Sequence, residues 1–235
     1  MYFRRYSNNL IRGVLATVIA IFMISAFGEK LMFDTAAPIA YLFCAYLFKE
    51  DKNIMGVCVV LAVVQILINF IFIFSVDNYL TRIIFYLLTA LVLSIFRSDK
   101  QFGIVTAVLI LSLISEFYWY FTGYHGPEIY FSFAKISVYM VAKFALTYRA
   151  HGLSIYLKEK STVIRLDWIV LKVLSVGILI ELVYLAEYLI RHNTDLNPIL
   201  MYQLYPYVAH TISAYYMWLI LDHAISLLRA RTLSA

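Results

Sequence analysis

Residues Ile54–Val76 read IMGVCVVLAVVQILINFIFIFSV, a run with no charged side chain and two amides, Gln65 and Asn69. A helix rises about 1.5 Å per residue, so a run of this length crosses the roughly 30 Å hydrocarbon core of a bilayer. The rest of the chain agrees. Of its 235 residues, 63% are hydrophobic and 14% charged. A soluble domain has about 45–50% apolar residues and about 25% charged ones, and a disordered chain has the opposite bias. Two Cys exclude a disulfide scaffold or a multi-cysteine metal cluster. The expected fold class is all-α: a polytopic helical membrane protein in one transmembrane domain.

Working outward from this run, eight spans are expected: 10–27, 31–48, 54–76, 79–96, 102–123, 129–148, 166–190 and 199–228. The second is weakened by Asp34 and Pro38, and the sixth by Lys135 and Lys143. The basic residues decide the sixth. With eight spans and a cytoplasmic N-terminus, thirteen of the 19 Lys and Arg fall on inside segments, among them Arg4, Arg97, Lys100, Arg149, Lys158 and Arg229. Three fall outside (Lys30, Arg82, Arg191) and three within spans (Lys135, Lys143, Lys172). Without the sixth span, the basic stretch Arg149–Arg165 would land outside, against the positive-inside rule. Both termini are therefore expected in the cytoplasm, and the home is expected to be a bacterial inner (plasma) membrane. The net charge of +5 is that of cytoplasmic loops and implies no nucleic acid.

Met1–Arg12 followed by an apolar run looks like a secretory leader, but no small-x-small site follows in Ile24–Lys30, so a retained first helix is expected. The outside loops are short. Arg149–Arg165 is the longest inside loop and the expected docking segment for a partner. Two sets of four spans begin on the same side, which suggests a division into two four-helix halves, although uniform helix length is the simpler explanation.

A charge at mid-bilayer costs about 2.5–3.5 kcal/mol on insertion scales, so each one needs a reason. Depth along the helices suggests partners. Glu116 precedes Gly123 by seven residues and Lys135 follows Glu128 by seven, which puts both about 10 Å below the outer surface as an expected ion pair. Lys143, Lys172 and Asp222 fall at inner depth, as a Lys–Asp–Lys cluster or as lysines reaching to the headgroups. Glu181 and His210 lie deepest, on consecutive helices, and Pro206 stands one turn before His210. A carboxylate and an imidazole at one depth can pass a proton or bind a cation, or simply fix packing. Gln65 and Asn69, spaced i and i+4, read as helix–helix glue or as part of a polar path. The aromatic stretches Phe117–Phe121 and Tyr202–Tyr207 fit an interfacial belt. Cys44 and Cys58 sit near the inner ends of neighbouring helices and are expected as reduced, apolar residues.

No Gly-x-Ser-x-Gly, His-Glu-x-x-His, Cys-x-x-Cys or Walker loop occurs, and the five His are scattered. No catalytic residue, metal or cofactor is expected. The primary expectation is a non-enzymatic membrane subunit or pore-type component, which self-associates or binds membrane or cytosolic subunits. The alternative is a small secondary transporter or channel for an ion or small solute, working through the polar second half. Reporter tags at Asn9, Lys158 and Ala235 should all report the cytoplasm, and one between Arg191 and Pro198 the opposite side; an external Lys158 would remove the eight-span arrangement.

Overall fold

A computed structural model describes residues 29–74, 79–124, 129–156 and 162–233, with positions 14, 17, 18, 21 and 25. The five isolated positions are helical; the rest of the expected first span, and Lys158, lie outside the described residues. Seven helices follow: α1 (Lys30–Leu47), α2 (Lys52–Phe74), α3 (Tyr79–Ile95), α4 (Phe102–Thr122), α5 (Tyr130–Tyr156), α6 (Arg165–Asn193) and α7 (Leu200–Leu233). Three of them, α2, α4 and α6, are long and apolar enough to cross a membrane, and α1 and α3 are apolar but shorter.

Local chemistry sets the ends. Asp51 Oδ1 accepts the N–H groups of Asn53 and Ile54 at 3.1 and 3.3 Å, capping the first turn of α2. Gly123, at φ +66°, ends α4: its N–H reaches the Tyr120 carbonyl and the Tyr124 N–H the Trp119 carbonyl. This paired closure needs a left-handed residue, and glycine takes that conformation without a Cβ clash. Glu187 on α6 accepts the Met201 and Tyr202 N–H groups at 2.7 and 2.8 Å, so a side chain from the preceding helix caps α7. Pro206 interrupts α7 no more than Pro38 interrupts α1.

The chain divides into two compact units. One comprises residues 1–66, 145–171 and 206–235; the other 67–144 and 172–205. The expected pair of four-helix halves does not correspond to them, because each unit takes segments from both halves.

In the first unit, Phe33, Tyr41, Cys44, Val57, Cys58, Leu166, Val170 and Ile220 form the buried apolar interior, and both thiols are free. The Tyr41 hydroxyl donates to the Ser213 carbonyl at 3.0 Å, and Phe33 stacks on His210 with centroids 4.2 Å apart. The strongest tie is ionic. Arg149, 7% exposed, meets Asp167 in a fork: Nε to Oδ1 at 2.9 Å and an Nη to Oδ2 at 2.7 Å. The guanidinium also donates to Asn53 Oδ1 and the Thr162 carbonyl, and Asp167 Oδ2 accepts the Ile164 N–H at 2.9 Å. Asp167 thus closes the start of α6 and anchors Arg149 at once.

This corrects where the expected Arg149–Arg165 loop begins. α5 continues to Tyr156, so the segment begins as helix, and its first residue is a buried clamp. A carboxylate in the first turn of the next helix made burial of Arg149 tolerable.

The second unit packs Tyr86, Leu93, Val105, Leu109, Trp119, Tyr130, Phe133, Ile136, Met140, Ile178, Leu182 and Leu185 into one core. Small hydroxyls join α3 to α5: Ser137 Oγ lies 3.0 Å from Thr89 Oγ1, which also donates to the Phe133 carbonyl at 3.3 Å. Outside this core α3 shows Leu80, Ile83, Ile84, Leu87, Leu91 and Ile95 to the surroundings. Changing Arg149 to Leu should destabilise the protein by about 3–5 kcal/mol, because a buried carboxylate loses its counter-charge. Adding Asp167→Leu should recover most of that, short of about 1 kcal/mol for the lost cap, as read by thermal unfolding in detergent.

Candidate functional site

A buried polar group in the second unit joins three helices. Glu181 stands midway along α6 and is 2% exposed; Lys135, 7% exposed, comes from the second turn of α5. Lys135 Nζ lies 3.3 Å from Glu181 Oε1 and donates to the Tyr205 hydroxyl at 2.7 Å. The Tyr205 hydroxyl, from the second turn of α7, donates in turn to Glu181 Oε1. Ammonium, phenol and carboxylate form a closed triangle whose charges cancel. The other carboxylate oxygen, Oε2, is buried and has no hydrogen-bond partner among the described residues.

Aromatic rings surround the triangle. The ammonium lies 4.6 Å from the Tyr205 ring centroid and 5.9 Å from that of Phe72, both within cation–π range. Tyr184 packs on Tyr205 with centroids 4.7 Å apart and donates to the Tyr188 hydroxyl at 3.1 Å. Toward the ends of α4, α6 and α7 the rings continue as a collar. Tyr124 OH lies 2.7 Å from His192 Nδ1, and Arg191 lies over Tyr188 and Tyr202 at 4.5 and 5.2 Å.

Two further ion pairs lie in this unit. Glu116 on α4 is gripped by Arg82 at 3.2 Å and by the Tyr86 hydroxyl at 3.1 Å. Arg82 and Tyr86 are four apart on α3, so one helix face presents both donors. Lys143 on α5 meets Asp99 Oδ2 at 2.5 Å and Gln101 Oε1 at 3.1 Å, in the turn between α3 and α4.

The expected partnerships are therefore corrected. Glu116 and Lys135 do not pair: Glu116 takes Arg82, and Lys135 takes Glu181. Depth along a helix ranks partners by level, but each residue turns about 100° around the axis, and azimuth chose between groups at one level. The expected Glu181–His210 pair takes one residue from each unit. Glu181 is engaged by Lys135 and Tyr205, while His210 belongs to the first unit and stacks on Phe33. Of the expected Lys143–Asp222–Lys172 cluster, Lys143 meets Asp99, and Lys172 and Asp222 are both exposed.

Reasoning from sequence passed over Arg82, Asp99, Tyr205, Arg149 and Asp167. Arg82 reads from sequence as an outside charge but lies one turn into α3, and Tyr205 reads as part of an aromatic belt but carries the bridging hydroxyl. The available signal was spacing: Arg82 with Tyr86, and an acidic residue in the first turn of α6.

Chemically, the triangle offers a line of donors from Lys135 through Tyr205 to a carboxylate with one uncommitted oxygen. That can hold helices together, or hand a proton to Glu181. No protein-family model, curated protein or solved structure matches this chain. Tyr205→Phe removes the bridging hydroxyl without changing ring packing. It should cost about 1–3 kcal/mol of unfolding free energy in detergent, since a buried carboxylate loses a donor; Tyr184→Phe should cost less. Equal losses would show that the hydroxyl contributes nothing particular.

Proposed function

We propose that this chain is a multi-pass protein of about eight spans, with both termini on the cytoplasmic side of a bacterial inner (plasma) membrane. It acts as a non-enzymatic membrane subunit or pore-type component of a larger complex, formed with further copies or with other membrane or cytosolic subunits. The single observation that supports this is the use of the interior charges. Arg82 with Glu116, Lys135 with Glu181, Lys143 with Asp99 and Arg149 with Asp167 neutralise one another. A carrier keeps intramembrane charge available to its cargo, whereas paired charge fastens helices. The apolar side chains turned outward on α3 and α4, such as Ile84, Leu87, Leu91, Ile110 and Ile114, suit contact with lipid or with neighbouring helices. With Arg149 buried, the partner-binding role expected for Arg149–Arg165 narrows to the part beyond α5.

One observation favours a second reading, a small proton-coupled transporter. Glu181 Oε2 is a buried oxygen without a hydrogen-bond partner among the described residues, beside a donor chain. Mild-detergent extraction followed by light scattering separates the two. The subunit reading expects an assembly larger than one chain and a Glu181→Gln variant that keeps the same assembly. A stable monomer, whose proton uptake in proteoliposomes is abolished by Glu181→Gln at unchanged folded yield, would replace it with the transporter reading.

A further inference from the structure

The turn between α3 and α4 borders a cleft of about 450 Å³, lined by Ser98, Asp99, Lys100, Gln101, Lys143 and Ser175. The proposed function uses only the Lys143–Asp99 pair on its wall. Its walls are fixed. Gln101 is buried, donates through Nε2 to the Ser175 carbonyl at 2.7 Å, and accepts from Lys143 through Oε1 at 3.1 Å.

Asp99 is the one acidic lining residue, and both its oxygens are engaged. Oδ1 takes the Gln101 N–H at 2.9 Å and Oδ2 takes Lys143 at 2.5 Å. Its charge is balanced by Lys143, which leaves the exposed Lys100 as the excess charge of the cleft. Lys172, exposed one turn before Ser175 on α6, and exposed Arg97 keep the same sign around it. The first turn of α4 adds to this field: Gly103 is exposed, with open space where a side chain would stand. A lysine-lined cleft with polar walls suits a phosphate better than a cation or an apolar ligand.

We propose that this cleft binds the phosphate of an anionic phospholipid headgroup at the cytoplasmic face. The choice of a lipid over a soluble phosphate rests on the membrane reading above. In that orientation the α3–α4 turn meets the inner leaflet, whose anionic lipids attract basic residues close to the surface.

The test uses the full chain, delipidated in neutral detergent, and titrates it with short-chain phosphatidylglycerol, short-chain phosphatidylcholine or sodium phosphate. Phosphatidylglycerol should bind in preference to phosphatidylcholine. Lys100→Gln, an exposed substitution that leaves the walls intact, should weaken it about fivefold, the contribution of one lysine near an anionic surface. Lys100→Arg should restore it. Equal binding of sodium phosphate and phosphatidylglycerol, with the same Lys100 dependence, would keep the phosphate site but overturn the lipid as its ligand. Phosphatidylglycerol binding that is absent, or indifferent to Lys100→Gln, overturns the proposal. Alkaline carbonate extraction of native membranes keeps the two levels apart. A chain that stays in the pellet but ignores phosphatidylglycerol loses only the cleft proposal, whereas a chain released to the supernatant loses the membrane reading and the lipid assignment with it.

Discussion

A charge removed from water must meet its opposite at hydrogen-bonding distance, and the tie between Lys135, Glu181 and Tyr205 is where this constraint joins three helices. Glu181 is almost fully enclosed, midway along a helix of 29 residues. The effective cost of enclosing an unpaired ion is several kcal/mol, comparable to the whole stability of a typical domain. The ammonium from α5 and the phenol from α7 offset that cost, and in doing so they set which faces of α5, α6 and α7 turn toward each other. Neighbouring contacts follow from that choice, including Tyr184 on Tyr205 and Lys135 over Phe72.

The same rule recurs with local variations. Arg149 and Asp167 combine an ion pair with a helix cap, so the start of α6 and the last part of α5 are fixed together. Glu187 satisfies two backbone donors at the start of α7, which have no partner within their own helix. Lys143 and Asp99 close the turn between α3 and α4 in the same way. Apolar packing supplies bulk, while the polar ties supply register.

The helices were readable because they depend on a one-dimensional property: long apolar runs separated by basic turns. The elements α2 to α4 fall within a few residues of their expected bounds for that reason. The pairing of charges was not readable to the same degree. Glu116 and Lys135 do sit at matching distances from their helix ends, but which neighbour each faces depends on rotation about the helix axis. Hydropathy carries no such information across a helix that is apolar all round. Asp167 and Tyr205 were hidden differently, in a loop boundary and an aromatic run, where the ordinary explanation was sufficient. Glu181 and Lys135 were legible as sites worth attention, since burying either one alone is so costly; their union was not.

The functional reading follows from this distribution of charge: pairs that neutralise each other suit a scaffold or subunit better than a carrier. Charge exchange at the central tie is the most direct measurement. Lys135→Glu, Glu181→Lys and the double exchange would be compared by folded yield and thermal unfolding in the same detergent. Each single exchange places like charges together and should abolish folded protein, and the double exchange, which restores opposite charges, should recover a substantial part of the yield. A double exchange no better than the worse single one would contradict the account, because the two residues would then not be stabilising the fold as a pair.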